Sequence, residues 1–318
     1  MKLGATLGKW LDMPVGATRW TWRKFWADTS LAYLFLLPSL AVIGLFSLYP
    51  VVQAFLLSLT DYHALRRAGE FIGLANYREI MQDPMFWKGV KNTAIYVIGT
   101  VPVTVILALG VAILLNQAIR FRAAYRLAYF VPYVTTAVAV SMVWAWIYHE
   151  QWGLLNYALG WFDWLGFKPQ QWLLDPKWTM FTIIVIAIWK GLGYTVVIFL
   201  AGLQTMDREL MNAARVDGAN ERQVFWKITW PLLSPTTFFI TITAVINAFK
   251  VFTELFVMYG RRPGPLREGM TIVFYIYEKA WDDRLMGYAS AAAYILFFMV
   301  LAVTIFQFWY ARRRVHYD

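Results

Sequence analysis

The sequence predicts an all-α, polytopic membrane protein with six transmembrane helices and a helical loop on the cytoplasmic side. Three observations carry that prediction. Of 318 residues, 60% are hydrophobic and only 15% are charged, whereas the apolar share of a soluble chain is nearer half. The apolar residues gather in long uncharged runs, and a bilayer core about 30 Å thick asks for roughly 20 such residues per helix. Between the fourth and fifth runs stands a charged island, Met206 to Pro231, whose composition suits short surface helices.

The runs fall near 30–59, 92–116, 126–148, 178–205, 233–259 and 286–310, each long enough to cross with some tilt. The first holds Pro38 and Pro50, tolerated in a membrane where neighbouring helices satisfy the freed backbone groups. Tyr49, Trp144, Trp146, Tyr148, Trp178, Trp309 and Tyr310 stand near run ends, where aromatic rings anchor at the membrane–water boundary. Two connecting segments suggest structure of their own. These are 71–91 and the Trp- and Leu-rich 152–177, which suits an amphipathic segment lying in the interface. The basic stretch 1–29 lacks a short apolar core with a small-residue cleavage site, so it reads as a retained cytoplasmic tail. The transmembrane domain is then 30–311, and 312–318 forms a second cytoplasmic tail.

Lys and Arg collect on cytoplasmic loops without acidic partners, which accounts for a net charge of +10 without invoking nucleic acid. The shortest loop decides the orientation: Arg120, Arg122 and Arg126 stand between runs two and three with no acid among them. Six crossings return Arg312, Arg313 and Arg314 to the same side as Arg19, Arg23 and Lys24. Both termini are therefore expected in the cytoplasm, with the chain multi-pass in the inner membrane. Arg66, Arg67, Arg261 and Arg262 on outer loops weaken the contrast without reversing it.

The island 206–231 then lies inside and reads as two short helices. Asp207, Glu209 and Ala213-Ala214 start the first, Gly218 breaks it, and Ala219 to Trp230 forms the second before Pro231. Arg208, Arg215, Arg222 and Lys227 balance Asp207, Glu209, Asp217 and Glu221, so this is no polybasic lipid patch. Fixed directly to two spans, such a pair transmits a push from a soluble partner to both of them.

Ionisable residues inside spans are expensive and mark functional positions. Here they are Lys190, Lys250 and Glu254. In run five, Thr243, Asn247, Lys250 and Glu254 are spaced by four, three and four residues, one face of a continuous helix. In run four, Lys190 and Tyr194 are one turn apart, beside Gly191 and Gly193, which permit close helix approach or a local break. Lys190 is about 18 Å along the helix from Trp178, near the midplane. Together with Trp189, these two faces offer stacking and hydrogen bonds to hydroxyl groups and are read as a polar solute pathway. A purely structural alternative pairs Lys250 with Glu254 and gives Lys190 to backbone carbonyls.

Other classes fit less well. The chain has no GxxxxGK[ST] phosphate loop, so ATP hydrolysis is not expected of it. His63, His149 and His316 all lie in loops or the tail, leaving no metal-binding His pair in the spans. With no cysteine there is no disulfide, thiolate metal site or cysteine nucleophile. An ion-coupled secondary transporter using Lys250 and Glu254 is the main rival, and it has no need of the cytoplasmic helix pair.

The spacing Asn212-Ala213-Ala214, Gly218, Ile228-x-x-Pro231 resembles the EAA loop of permease subunits in binding-protein-dependent ABC importers. The resemblance extends from about residue 31 to the C-terminus, on the carbohydrate-uptake branch with the maltose and glycerol-phosphate systems. It runs through Leu37-Pro38-Ser39, Tyr49-Pro50, Phe130-Val131-Pro132, Trp189 to Gly193, and Gly287 to Ala291. It implies a second, similar permease in a heterodimer, two cytoplasmic ATPase subunits that bind the ATP and Mg, and an extracytoplasmic solute-binding protein. It also implies that Glu209, Asn212, Ala213, Ala214, Asp217, Gly218, Ile228 and Pro231 form the coupling helix region that docks on the ATPase. No cofactor is expected on this chain itself. Three positions depart from the pattern: Asn212 stands where Glu is usual, Trp230 where Leu is usual, and Gly260-Arg261-Arg262-Pro263 where Gly-Gly-Pro is common.

Overall fold

The computed structural model describes residues 22–312 apart from 67, 118, 119, 163, 165 and 167, and apart from the side chains of 22–32, 122 and 208. Arg19, Arg67, Arg313, Arg314 and His316 therefore lie outside the described residues, as do the side chains of Arg23, Lys24, Arg122 and Arg208. Among the described residues there is no strand, only isolated bridges such as Thr60 with Phe71. The chain divides into two units, 1–54 and 55–318.

Within the first unit, the helix Trp22–Ile43 passes into a π turn, Gly44–Leu48, and resumes at Tyr49. Pro50 lies two residues beyond that turn, and a π turn is a common way for a helix to accommodate a missing amide donor. Tyr49 is thus in the middle of a helix rather than at a span end. None of residues 33–54 is buried by the chain itself.

Among the described residues, four helices are long and apolar enough to cross a membrane: Tyr33–Ser58, Pro84–Asn116, Pro176–Thr205 and Met286–Ala311. Two bent pairs, Ala123–Val134 with Ala137–Ile147 and Glu221–Leu232 with Ser234–Ala248, bring the number to six if each is one span. Span two starts at Pro84, well before residue 92, because the Asp83 side chain caps it by accepting from the Met85 amide at 2.7 Å. Proline suits that first turn. Asn92 is then inside the helix, buried, donating to the carbonyls of Glu268 and Met270 at 2.8 and 2.9 Å.

Span three is not the single rod expected over 126–148. It bends by 100° at Thr135–Thr136. Thr135 returns its hydroxyl to the Val131 carbonyl, and Thr136 caps the next helix by accepting from the Ala139 amide. Hydroxyl side chains satisfy the backbone groups that the bend frees.

Segment 152–177 packs on itself and on neighbouring helices and keeps an exposed rim. Buried Asn156 donates to the Glu150 and Gln170 carbonyls and accepts from the Gln170 amide and Trp172 Nε1. Trp172 is buried against Tyr148 and Trp178, while Trp152, Trp161 and Trp164 stay exposed. Tyr148, expected as an interfacial anchor, is fully buried and donates to the Thr182 carbonyl at 3.2 Å.

Spans two, four and five pack through Ala108, Ala112, Val196, Phe199, Leu233 and Ile240. Small residues allow close backbone approach, the main source of helix association in lipid. Gly193 is the tightest such point in span four: a Cβ there would be 2.1 Å from the Tyr129 carbonyl oxygen. Of the two roles open to Gly191 and Gly193, the close approach is the one observed, since Thr179–Thr205 is continuous.

Candidate functional site

A cleft of about 490 Å³ opens among spans two, four and five. Lys190, Tyr194, Thr243, Asn247, Lys250 and Glu254 all line it, so six of the seven residues expected on a solute pathway meet at one place. The geometry that unites them differs from a single helical stripe. The span-five helix Ser234–Ala248 stops, and a new helix begins only at Thr253. Thr243 and Asn247 share a helical face, Lys250 sits in the break, and Glu254 lies on the next segment. The break is held by short turns, Lys250 amide to Asn247 carbonyl at 3.0 Å and Val251 amide to Ala248 carbonyl at 3.2 Å. The Val251 carbonyl accepts from the Thr271 hydroxyl at 3.1 Å.

The charges pair differently from the structural alternative. Glu254 faces Lys190 across the cleft, Oε1 to Nζ 3.7 Å, with both side chains largely buried. Lys190 thus has a carboxylate rather than carbonyls, and Lys250 is exposed with no ion pair among the described residues. Trp189 stands off the cleft: it is exposed, edge-to-face with Trp144 at 5.6 Å, over the groove at the bend of span three. The stacking surface instead comes from Tyr194 with Tyr133, rings 4.9 Å apart and 22° from parallel.

Span two supplies lining residues outside the expected set: Tyr96, Thr100 and Thr104. Thr100 and Thr104 are 8% and 5% exposed, and neither hydroxyl has a partner among the described residues. Both hydroxyl oxygens are closed off from solvent, so they belong to the wall of the cleft rather than to its open surface. Their signal is the four-residue spacing 96, 100, 104 within an apolar run, one helical face.

The island folds as two helices. Asp207 caps Arg208–Val216 by accepting from the Glu209 amide at 2.8 Å. Asp217 closes that helix and Gly218 follows at φ +87°. Asn220 and Gln223 form a reciprocal capping box, so the second helix starts at Glu221 rather than Ala219. It runs through a π turn to Leu232, past Pro231. No residue of Arg208–Val216 with a described side chain is buried: Glu209, Asn212 and Ala213 are exposed, as are the large apolar Leu210 and Val216. Ala214, Ile228 and Pro231 are half-buried, and Val224 is the buried anchor of the second helix. Arg215 joins the two helices, donating to both oxygens of Glu221 at 2.7 and 3.1 Å and to Asn212 Oδ1 at 3.1 Å. That hydrogen bonding holds the Glu221 carboxyl below its ordinary range.

Beyond span five, Arg261 takes φ +68°, a conformation that costs an L residue about 1–2 kcal/mol and that glycine adopts freely. Its guanidinium lies 5.6 Å from the Phe256 ring centre. The arginine at a position where glycine is common is thus strained in backbone and held by an aromatic face.

Residues 86–316 match the family described as binding-protein-dependent transport system inner membrane component. The chain belongs to that family. As a member it is a permease subunit, a transport component of a membrane. It is 34% identical over 278 residues to an arabinooligosaccharide transport system permease protein of Halalkalibacterium halodurans, covering 86% of this chain and 85% of that one. It is 31% identical over 288 residues to an sn-glycerol-3-phosphate transport system permease protein of Agrobacterium fabrum, covering 90% and 96%. Among solved structures, it matches a bacterial alginate ABC transporter in complex with an alginate pentasaccharide-bound periplasmic protein. The TM-score is 0.76 at 23% identity, with 92% of this chain and 97% of that one covered.

Proposed function

We propose that this permease subunit passes a sugar or sugar-like solute, glycerol phosphate included, through the cleft among spans two, four and five. The observation that carries the proposal is the lining of that cleft. Stacked Tyr133 and Tyr194 offer a ring face, while Asn247 and Thr243 offer hydrogen bonds. Aromatic faces with neutral donors and acceptors suit polyols, and the relatives named for oligosaccharide and glycerol-phosphate transport support that class.

The energy comes from outside the chain. A second permease completes the pathway as a heterodimer, two ATPase subunits hold ATP and Mg, and an extracytoplasmic binding protein delivers the solute. The exposed helix Arg208–Val216, with Leu210 and Val216 facing outward, supports docking of the ATPase there. Asn212 accepts from Arg215, so the contact with the ATPase is either hydrogen-bonded through Asn212 or supplied by the exposed Glu209. Both termini face the cytoplasm, on the side of this loop.

Replacing Asn247 by Leu in the reconstituted complex tests the pathway. The lost hydrogen bond raises the KM for uptake by about tenfold. Unchanged affinity and rate in that variant would remove this face from the pathway. Uptake driven by an imposed proton gradient without ATP would favour the ion-coupled rival.

A further inference from the structure

The break in span five separates two differently tethered pieces. Ser234–Ala248 packs with spans two and four and meets the island's second helix at a bend of 61°. Thr253–Met258 belongs to the other end of the molecule, with Leu255 fully buried and Phe256 against Phe252, Phe274 and Tyr277. This outer piece shares buried clusters with unbroken span four, Leu255 with Ile183 and Met258 with Ile186, and its polar contacts with that span include two that matter here. One is Glu254 to Lys190 at 3.7 Å, and the other is Tyr259 to Thr182, hydroxyl to hydroxyl at 3.2 Å. Largely buried ion pairs give little net stability because desolvation offsets attraction, and their best-attested use is to select one arrangement over another. Here the pair is long and single-contact, it crosses the solute cleft, and it joins a rigid rod to a segment beyond a hinge.

We propose that Lys190 and Glu254 are a positioning pair: together they latch the outer piece of span five against span four in the resting state, and they separate when the pathway opens. The break at 249–252 is the hinge. Motion delivered through the cytoplasmic helix pair reaches the inner piece first, and the latch sets how readily the outer piece follows. This rests on the ABC permease reading, and it adds a release step that no solute-binding role of these residues requires.

The test uses the complete reconstituted complex with its ATPase and binding protein. Glu254→Gln, Lys190→Gln and the exchange Lys190→Glu with Glu254→Lys are compared for uptake and for ATP hydrolysis without binding protein. Each single variant raises that idle hydrolysis by about fivefold or more and lowers the solute moved per ATP, and the exchange returns both toward the unsubstituted complex. Glu254→Asp keeps the charge but shortens the reach, and gives an intermediate idle rate even if the neutral variants insert poorly. Idle hydrolysis unchanged in Glu254→Asp and in either single variant overturns the latch, as does an exchange no better coupled than its parents. Absence of ATP-dependent uptake in the unsubstituted complex would instead overturn the transport reading itself.

Discussion

Spans four and five hang from the two ends of the same charged loop, and they are built in opposite ways. Span four is one helix, Thr179–Thr205, pressed by Gly193 against the backbone at Tyr129 and filled along its inner half by Val196, Phe199 and Leu203. Span five is two helices with a turn between, its free carbonyl at Val251 satisfied by Thr271 from another segment. Both line the cleft, yet a push at residues 206–232 meets a rod on one side and a jointed lever on the other. The difference teaches that polar residues near the midplane need not share one mechanical role. Asn247 and Tyr194 are proposed to present groups to a solute, whereas Lys190 and Glu254 pair across the cleft between the two kinds of helix.

The comparison breaks most severely if the rod is disturbed. Gly193→Val places side-chain atoms where the Tyr129 carbonyl already lies, and overpacking of that kind costs about 1–3 kcal/mol or more. The expected result is a marked fall in thermal unfolding temperature of the purified complex, larger than for Gly191→Val, whose Cβ meets only ordinary contact with Thr104. Equal losses at the two glycines would remove the rod's contact point from the account.

The next largest effect lies in the loop proposed to drive both spans. Gly218 sits at φ +87° in open space, so Gly218→Leu strains the backbone by about 1–2 kcal/mol without any clash. Insertion and subunit association are expected to persist while ATP hydrolysis runs without proportionate uptake. Normal coupling in that variant would count against the loop as the receiver of force.

The smallest effect sharpens how the two loop helices are joined. Because Glu221 is held below its ordinary range by Arg215, the pair adds stability above the ordinary glutamate value and loses it as pH falls through the lowered one. The pair lies at the surface, so the change is slight and is screened by salt. Helix content followed by circular dichroism against pH should show a small acid step that disappears in Glu221→Gln.

Much of the architecture was legible because the bilayer imposes it. Every apolar run proved helical, runs two, four and six as single helices and runs three and five as pairs, and the island's caps at Asp207 and Gly218 were readable from local chemistry. The break in span five was not, since no proline or glycine marks 249–252. It is held by Thr271 and by the ring of Phe252 against Phe274, contacts that only the folded chain brings together. The bend of span three left a faint trace in Thr135-Thr136 after Pro132. The Lys190–Glu254 pair joins distant parts of the chain, beyond any periodicity argument, whereas the spacing of Tyr96, Thr100 and Thr104 was open to the same helical-face logic as Thr243 and Asn247.

The absence of native cysteine permits a direct measurement of the rod against the lever. Spin labels at Phe181→Cys with Val197→Cys report along span four, and labels at Phe239→Cys with Val257→Cys report across the hinge of span five. In the reconstituted complex, distances between labels are compared with and without ATP and binding protein. The account predicts a fixed distance along span four and a shifted one across span five. A fixed distance across both, or an equal shift in span four, would contradict it.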